Sequence, residues 1–96
     1  MPKATQEQID AWKQLHGDVF EVRVDGKFGY LKSPDRKTVA KASALQASPI
    51  RSNEAMLEGC WIGGDDEIKK DDKLFLAVQS KLGALMEVKE AELVKL

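Results

Sequence analysis

Asp25-Gly26 constrains this chain more than any other two residues in it. The pair separates two β-rich runs: Phe20, Val22 and Val24 alternating with Glu21 and Arg23, and then Lys27 to Lys32. Asp-Gly between such runs predicts a two-residue type I′ turn, whose central residues both take positive φ. A turn of that kind sets Val24 opposite Lys27, Arg23 opposite Phe28 and Glu21 opposite Tyr30. The register gathers Phe20, Val22, Val24 and Leu31 on one face but leaves Phe28 and Tyr30 beside charged residues on the other. Either both faces are partly covered, or a bulge shifts the second strand by one. A lone hairpin is not stable in water, so the remaining chain must cover it.

That remainder has helical periodicity. Thr5 and Gln8 stand at capping-box spacing, Ile9, Trp12 and Leu15 follow on one stripe, and Gly17 is placed to end the helix, with His16 in its last turn. Ser33-Pro34 predicts the start of a second helix, with Val39, Ala42 and Leu45 on one face, extended by Ala40, Ala44 and Ala47 as small residues that admit a neighbouring helix. Ser48-Pro49 ends that helix near Ala47 and starts a third near Pro49 or at Asn53, in which Met56, Leu57, Cys60 and Trp61 share a strip closed by Gly63-Gly64. Residues 62 to 70 read as a loop. Asp71 or Asp72 then caps a last long helix whose wide apolar face is Leu74, Phe75, Val78, Leu82, Leu85 and Met86, with Gly83 as a close contact or a kink. Beyond it Lys89 to Leu96 keep helical spacing through Leu93 and Leu96, open either to fraying or to docking on a partner. The expected fold is therefore α+β: an N-terminal helix, a β-hairpin, then three to four helices on one core. It forms a single small domain over 1–96 whose ends, 1–4 and 89–96, are open to fraying.

Composition narrows the function classes. A chain of 96 residues holds one modest core and no inter-domain cleft. Fifteen Lys and Arg against 16 Asp and Glu leave a net charge of -1, without the cationic excess that grips phosphates, so nucleic acid is disfavoured as a partner. Arg36, Lys37 and Lys41 form the one basic group, and a solvated helix face accounts for it. A single cysteine forms no internal disulfide, and neither an apolar run of about 18 residues nor a basic-then-apolar leader stands in the sequence. Cytoplasmic residence without membrane insertion is the expectation.

Candidate chemistry resolves to structure. His16 suits a helix end through the macrodipole, and Cys60, between Gly59 and Trp61 near a helix C-terminus, suits a buried core thiol. Asp65, Asp66, Glu67, Asp71 and Asp72 lack the alternate donors and twelfth-position Glu of a calcium loop, and Lys69 and Lys70 fall among them. Gly63-Gly64 has no Lys-Ser/Thr after it, so no phosphate loop is present. No catalytic residue, metal site or cofactor is expected, and the chain is not expected to be an enzyme.

The order of elements carries a resemblance. The aromatic hairpin is followed by the small-residue helix from Ser33-Pro34 to Ala47 and by the segment from Pro49 to Gly64, PIRSNEAMLEGCWIGG. An acidic loop and an amphipathic helix ending Leu82-Gly83-Ala84-Leu85 complete it. Over roughly residues 18 to 90 this resembles the small tail assembly chaperones of long-tailed bacteriophages and phage or prophage proteins of similar length. The resemblance implies a non-enzymatic protein in the bacterial or phage-infected cytoplasm that keeps a tape-measure-type client, a structural tail protein, soluble. It could also form a homo-oligomer. Such a chaperone needs apolar surface to exchange with its client, and surface physics nominates Met56, Trp61, Leu74, Phe75, Val78, Leu82 and Leu85. The competing expectation is a small regulatory or antitoxin-like protein acting with nucleic acid or a protein partner.

Overall fold

A computed structural model describes residues 3–85 and 91–96. Its architecture is α+β, in the order α1 (Gln6–His16), β1 (Val19–Val24), β2 (Lys27–Lys32), α2 (Arg36–Ala44), α3 (Pro49–Cys60), β3 (Trp61–Gly64), α4 (Glu67–Lys70), α5 (Asp72–Gln79) and a 3₁₀ turn (Leu82–Leu85). The strands form one antiparallel sheet with β2 in the centre, flanked by β1 and β3.

The hairpin adopts the register its turn dictates. Asp25 and Gly26 both take positive φ, 50° and 73°, and Val24, Arg23 and Glu21 stand opposite Lys27, Phe28 and Tyr30. Both sheet faces are partly covered, and no bulge interrupts this pair. The irregularity falls on the other side of β2, where the register with β3 shifts between Tyr30 and Leu31.

The face carrying Phe20, Val22, Val24 and Leu31 packs on the main core, where Ala42, Ala55, Met56, Leu57, Cys60, Ile68, Phe75, Val78, Leu82 and Leu85 are buried together. Trp61 lies on the same side, its ring crossing β2 above Gly29; a Cβ there would stand 2.9 Å from the indole and 3.0 Å from Val22. Helices α2 and α3 pack as an antiparallel pair, closest where Gly59 meets Thr38: a Cβ at Gly59 would lie 2.4 Å from the threonine Cγ2. Ser52 Oγ donates to the Ala42 carbonyl at 2.9 Å and joins the same pair.

Several local expectations change. Helix α2 is capped by Asp35, whose carboxylate accepts from the Thr38 N–H at 2.7 Å, rather than by Ser33; aspartate two positions on is an equally good cap and leaves Pro34 outside the helix. That hydrogen bond is the leading reason the Asp35 carboxyl sits below its usual range. Helix α2 ends at Ala44, short of the expected Ala47, which lies in the turn that follows; Ala40, Ala44 and Ala47 are exposed, and the helix contact runs through Thr38 and Ala42. Trp61 leaves the third helix and opens β3, so part of the expected 62–70 loop is strand and part, α4, is a helical turn that buries Ile68. The last helix, capped by Asp71 through the Leu74 N–H, ends at Gln79, and Leu82 and Leu85 reach the core from a 3₁₀ turn. Gly83 is not a close contact: it lies within the 3₁₀ turn that follows the end of α5, and a Cβ there would meet nothing within 4 Å. Residues 86–88, Met86 among them, lie outside the described residues, as do residues 1, 2, 89 and 90 of the ends expected to fray.

Candidate interaction surface

The outer face of the sheet is closed by α1. Thr5 and Gln8 form the expected capping box, and Gly17 donates its N–H to the Lys13 carbonyl at the other end. Trp12 projects onto Tyr30, ring centroids 5.2 Å apart at 40°, and also approaches Gly63. The Tyr30 hydroxyl donates to Glu21 Oε2 at 2.9 Å and accepts from the Ala4 N–H at 2.9 Å. Burial pushes the Tyr30 hydroxyl pKa up, with the Glu21 charge acting in the same direction. Burial pushes Glu21 upward too, but hydrogen bonds from Arg23 and Tyr30 outweigh it and leave the carboxyl below its ordinary value. Leu15, placed by period on the Trp12 stripe, is exposed and does not join Trp12 on the sheet.

Among the described residues, the inner face is only partly closed. Between β1 and the 3₁₀ turn runs a groove of about 360 Å³, lined by Phe20, Val22, Leu31, Val78, Leu82 and Leu85 with Glu21, Arg23 and Lys81 at its border. Its walls are almost wholly apolar, an unusual surface for a chain with so many charged residues.

Of the seven side chains nominated for a partner, Val78, Leu82 and Leu85 line this groove while remaining almost fully buried in the chain's own core. Met56, Leu74 and Phe75 are buried elsewhere, Met56 accepting a contact from the Cys60 thiol at 3.8 Å. The six helical nominees are therefore core walls rather than a free stripe, because α5 and the 3₁₀ turn spend their apolar face on α3 and the hairpin. Trp61 is half-buried, with the Lys69 ammonium 4.9 Å above its ring. Lys69 also reaches Glu58 and Asp66, at 3.8 Å each. The residues sequence reasoning passed over are Phe20, Val22 and Leu31, and their signal was present in the period-2 alternation of the hairpin.

The remaining candidates occupy ordinary positions. Cys60 is fully buried, and burial raises its thiol to about 11, so it stays protonated near neutrality. His16 is exposed in the last turn of α1, and Arg36, Lys37 and Lys41 lie exposed along α2. Asp65 is buried beside β2, accepting the Phe28 N–H at 3.2 Å while its own N–H donates to the Phe28 carbonyl at 2.8 Å. Among the described residues, no group of three His, Cys, Asp or Glu side chains is placed to hold a metal, and no helix is long and apolar enough to cross a membrane. Apolar side chains do stand free at Leu93, Val94 and Leu96. No protein-family model, curated protein or solved structure matches this chain.

Proposed function

We propose that this chain is a non-enzymatic protein-binding module of the tail-assembly-chaperone kind, acting in the cytoplasm to keep an apolar stretch of a tape-measure-type client soluble. One observation carries the proposal: the open apolar groove between β1 and the 3₁₀ turn, floored by Val78, Leu82 and Leu85 and walled by Phe20 and Val22. A concave apolar channel with charge only at its border suits an amphipathic client segment, whose apolar residues enter while its polar face stays toward solvent and Lys81.

Co-expression with amphipathic segments of a tape-measure-type protein, followed by size-exclusion chromatography, tests this. The expected result is co-elution with the wild-type chain and separation from a Phe20→Lys variant that retains its circular dichroism. Failure of every such segment to co-elute overturns the proposal, and so does co-elution that Phe20→Lys leaves intact.

A further inference from the structure

Among the described residues strand β1 is a sheet edge, and its outward side has a definite hydrogen-bonding phase. Residues flanking a two-residue turn form a hydrogen-bonded pair, so Val24, Val22 and Phe20 direct their backbone groups toward β2. Phe28 confirms the phase from the opposite strand: its N–H and carbonyl are engaged by Asp65, on the side away from β1. Its partner Arg23, and Glu21 two residues before, therefore present N–H and C=O outward. Among the described residues, neither makes a backbone bond outside the hairpin.

Proteins usually blunt such an edge with proline, lysine, a bulge or a covering segment. The strand Val-Phe-Glu-Val-Arg-Val contains neither proline nor lysine, and its six pairs with β2 are unbroken. Its charges are arranged symmetrically about Val22, Glu21 before and Arg23 after.

We propose that β1 pairs with β1 of a second copy of this chain, antiparallel and centred on Val22, to give a continuous six-stranded sheet. In this register Glu21 faces Arg23 of the second copy and Arg23 faces Glu21, while Val22 meets Val22 and Phe20 meets Val24. The outward-directed residues are those set opposite each other, as the backbone phase requires. Charge selects the register. Sliding by one pair of residues in one direction sets Glu21 against Glu21, and in the other sets Arg23 against Arg23, and like charges directly opposite are destabilising. The contact is self-complementary, as a two-fold interface must be. It also keeps Phe20 and Val22 of both copies on one face, so the two apolar grooves open side by side. Dimerisation stands or falls separately from client binding.

Sedimentation equilibrium on the full chain tests the pairing, with Arg23→Glu, Glu21→Arg, their equimolar mixture and the double exchange. Arg23 is largely exposed on the strand but pairs with Glu21 of its own chain, so circular dichroism of each exchange accompanies the measurement and only variants that keep the wild-type spectrum are compared. The wild type is expected to dimerise, and each single exchange to weaken dimerisation roughly tenfold or more. The mixture and the double exchange restore opposite charges and recover the dimer. Should Glu21→Arg fail to fold, Val22→Cys supplies the second measurement: under mild oxidation it links two copies through position 22, with buried Cys60 unmodified, whereas Arg23→Cys does not. A wild-type chain that stays monomeric at high concentration overturns the proposal. So does a dimer indifferent to the Arg23 exchange, or one that Val22→Cys does not crosslink.

Discussion

The two faces of the sheet are covered by different physics. The inner face meets α3, α4, α5 and the 3₁₀ turn through a continuous apolar cluster in which Leu57, Ile68 and Val78 are almost wholly buried. The outer face meets one helix, none of whose residues is fully buried, through the Trp12–Tyr30 ring contact and the two hydrogen bonds of the Tyr30 hydroxyl. The well-packed side nevertheless keeps an open groove, and the lightly packed side is closed over Tyr30. Area of contact therefore sets how firmly a face is held; whether it is closed depends on the shape of what covers it.

Substitutions should separate the two faces by magnitude. Leu57→Ala removes a side chain from the main cluster and is expected to destabilise the whole fold by about 3 kcal/mol in chemical denaturation. Trp12→Ala should cost less, about 2 kcal/mol, and should release amide protection in α1 while α3 keeps its own under hydrogen exchange. A global loss of protection on replacing Trp12 would show that the two faces are not independently held. Tyr30→Phe keeps the ring and loses the hydroxyl, leaving Glu21 and the Ala4 N–H without that partner, at about 1 kcal/mol.

Smaller still near neutrality is the effect of pH, and it should act on opposite faces at the two extremes. Glu21 titrates below its ordinary 4.5 in the fold, so its stabilisation is present above that value and is lost as pH falls through the lowered one. Acid should therefore loosen α1 first, as read by Trp12 fluorescence. Cys60 is raised from 9.0 to about 11, so its contribution is complete below pH 9 and is lost as pH rises toward 11. Alkylation of the thiol should remain slow until the main core opens. Rapid alkylation of the native chain at pH 8 would place Cys60 outside that core.

Chain-local chemistry was legible in advance. The turn at Asp25-Gly26 and the caps at Thr5, Ser48 and Asp71 each depend on contacts within a few residues, and they stand where the sequence puts them, whereas the choice between an unbroken and a bulge-shifted hairpin register was left to the structure. Asp35 replaced Ser33 because two good caps lay within one turn and only the packed position of α2 chooses between them. Trp61 was assigned to a helix because its i, i+4 spacing with Leu57 is helical. The free edge of β2 and the small Gly29 beneath the indole drew it into a strand instead. The interaction surface was legible only in part: the apolar stripe around Val78, Leu82 and Leu85 was visible, but not that it would be spent on the core while Phe20 and Val22 walled the opening.

By itself the sequence determined the α+β class, the hairpin with its Asp25-Gly26 turn, and the protonated, unreactive character expected of its lone cysteine. Tertiary structure alone decided that both hairpin faces are partly covered, that a third strand joins β2, and that, among the described residues, β1 is left as an edge beside an apolar groove. The reason is range: turn and cap energies are settled among neighbours along the chain, whereas coverage of a face depends on elements dozens of residues away arriving with the right shape.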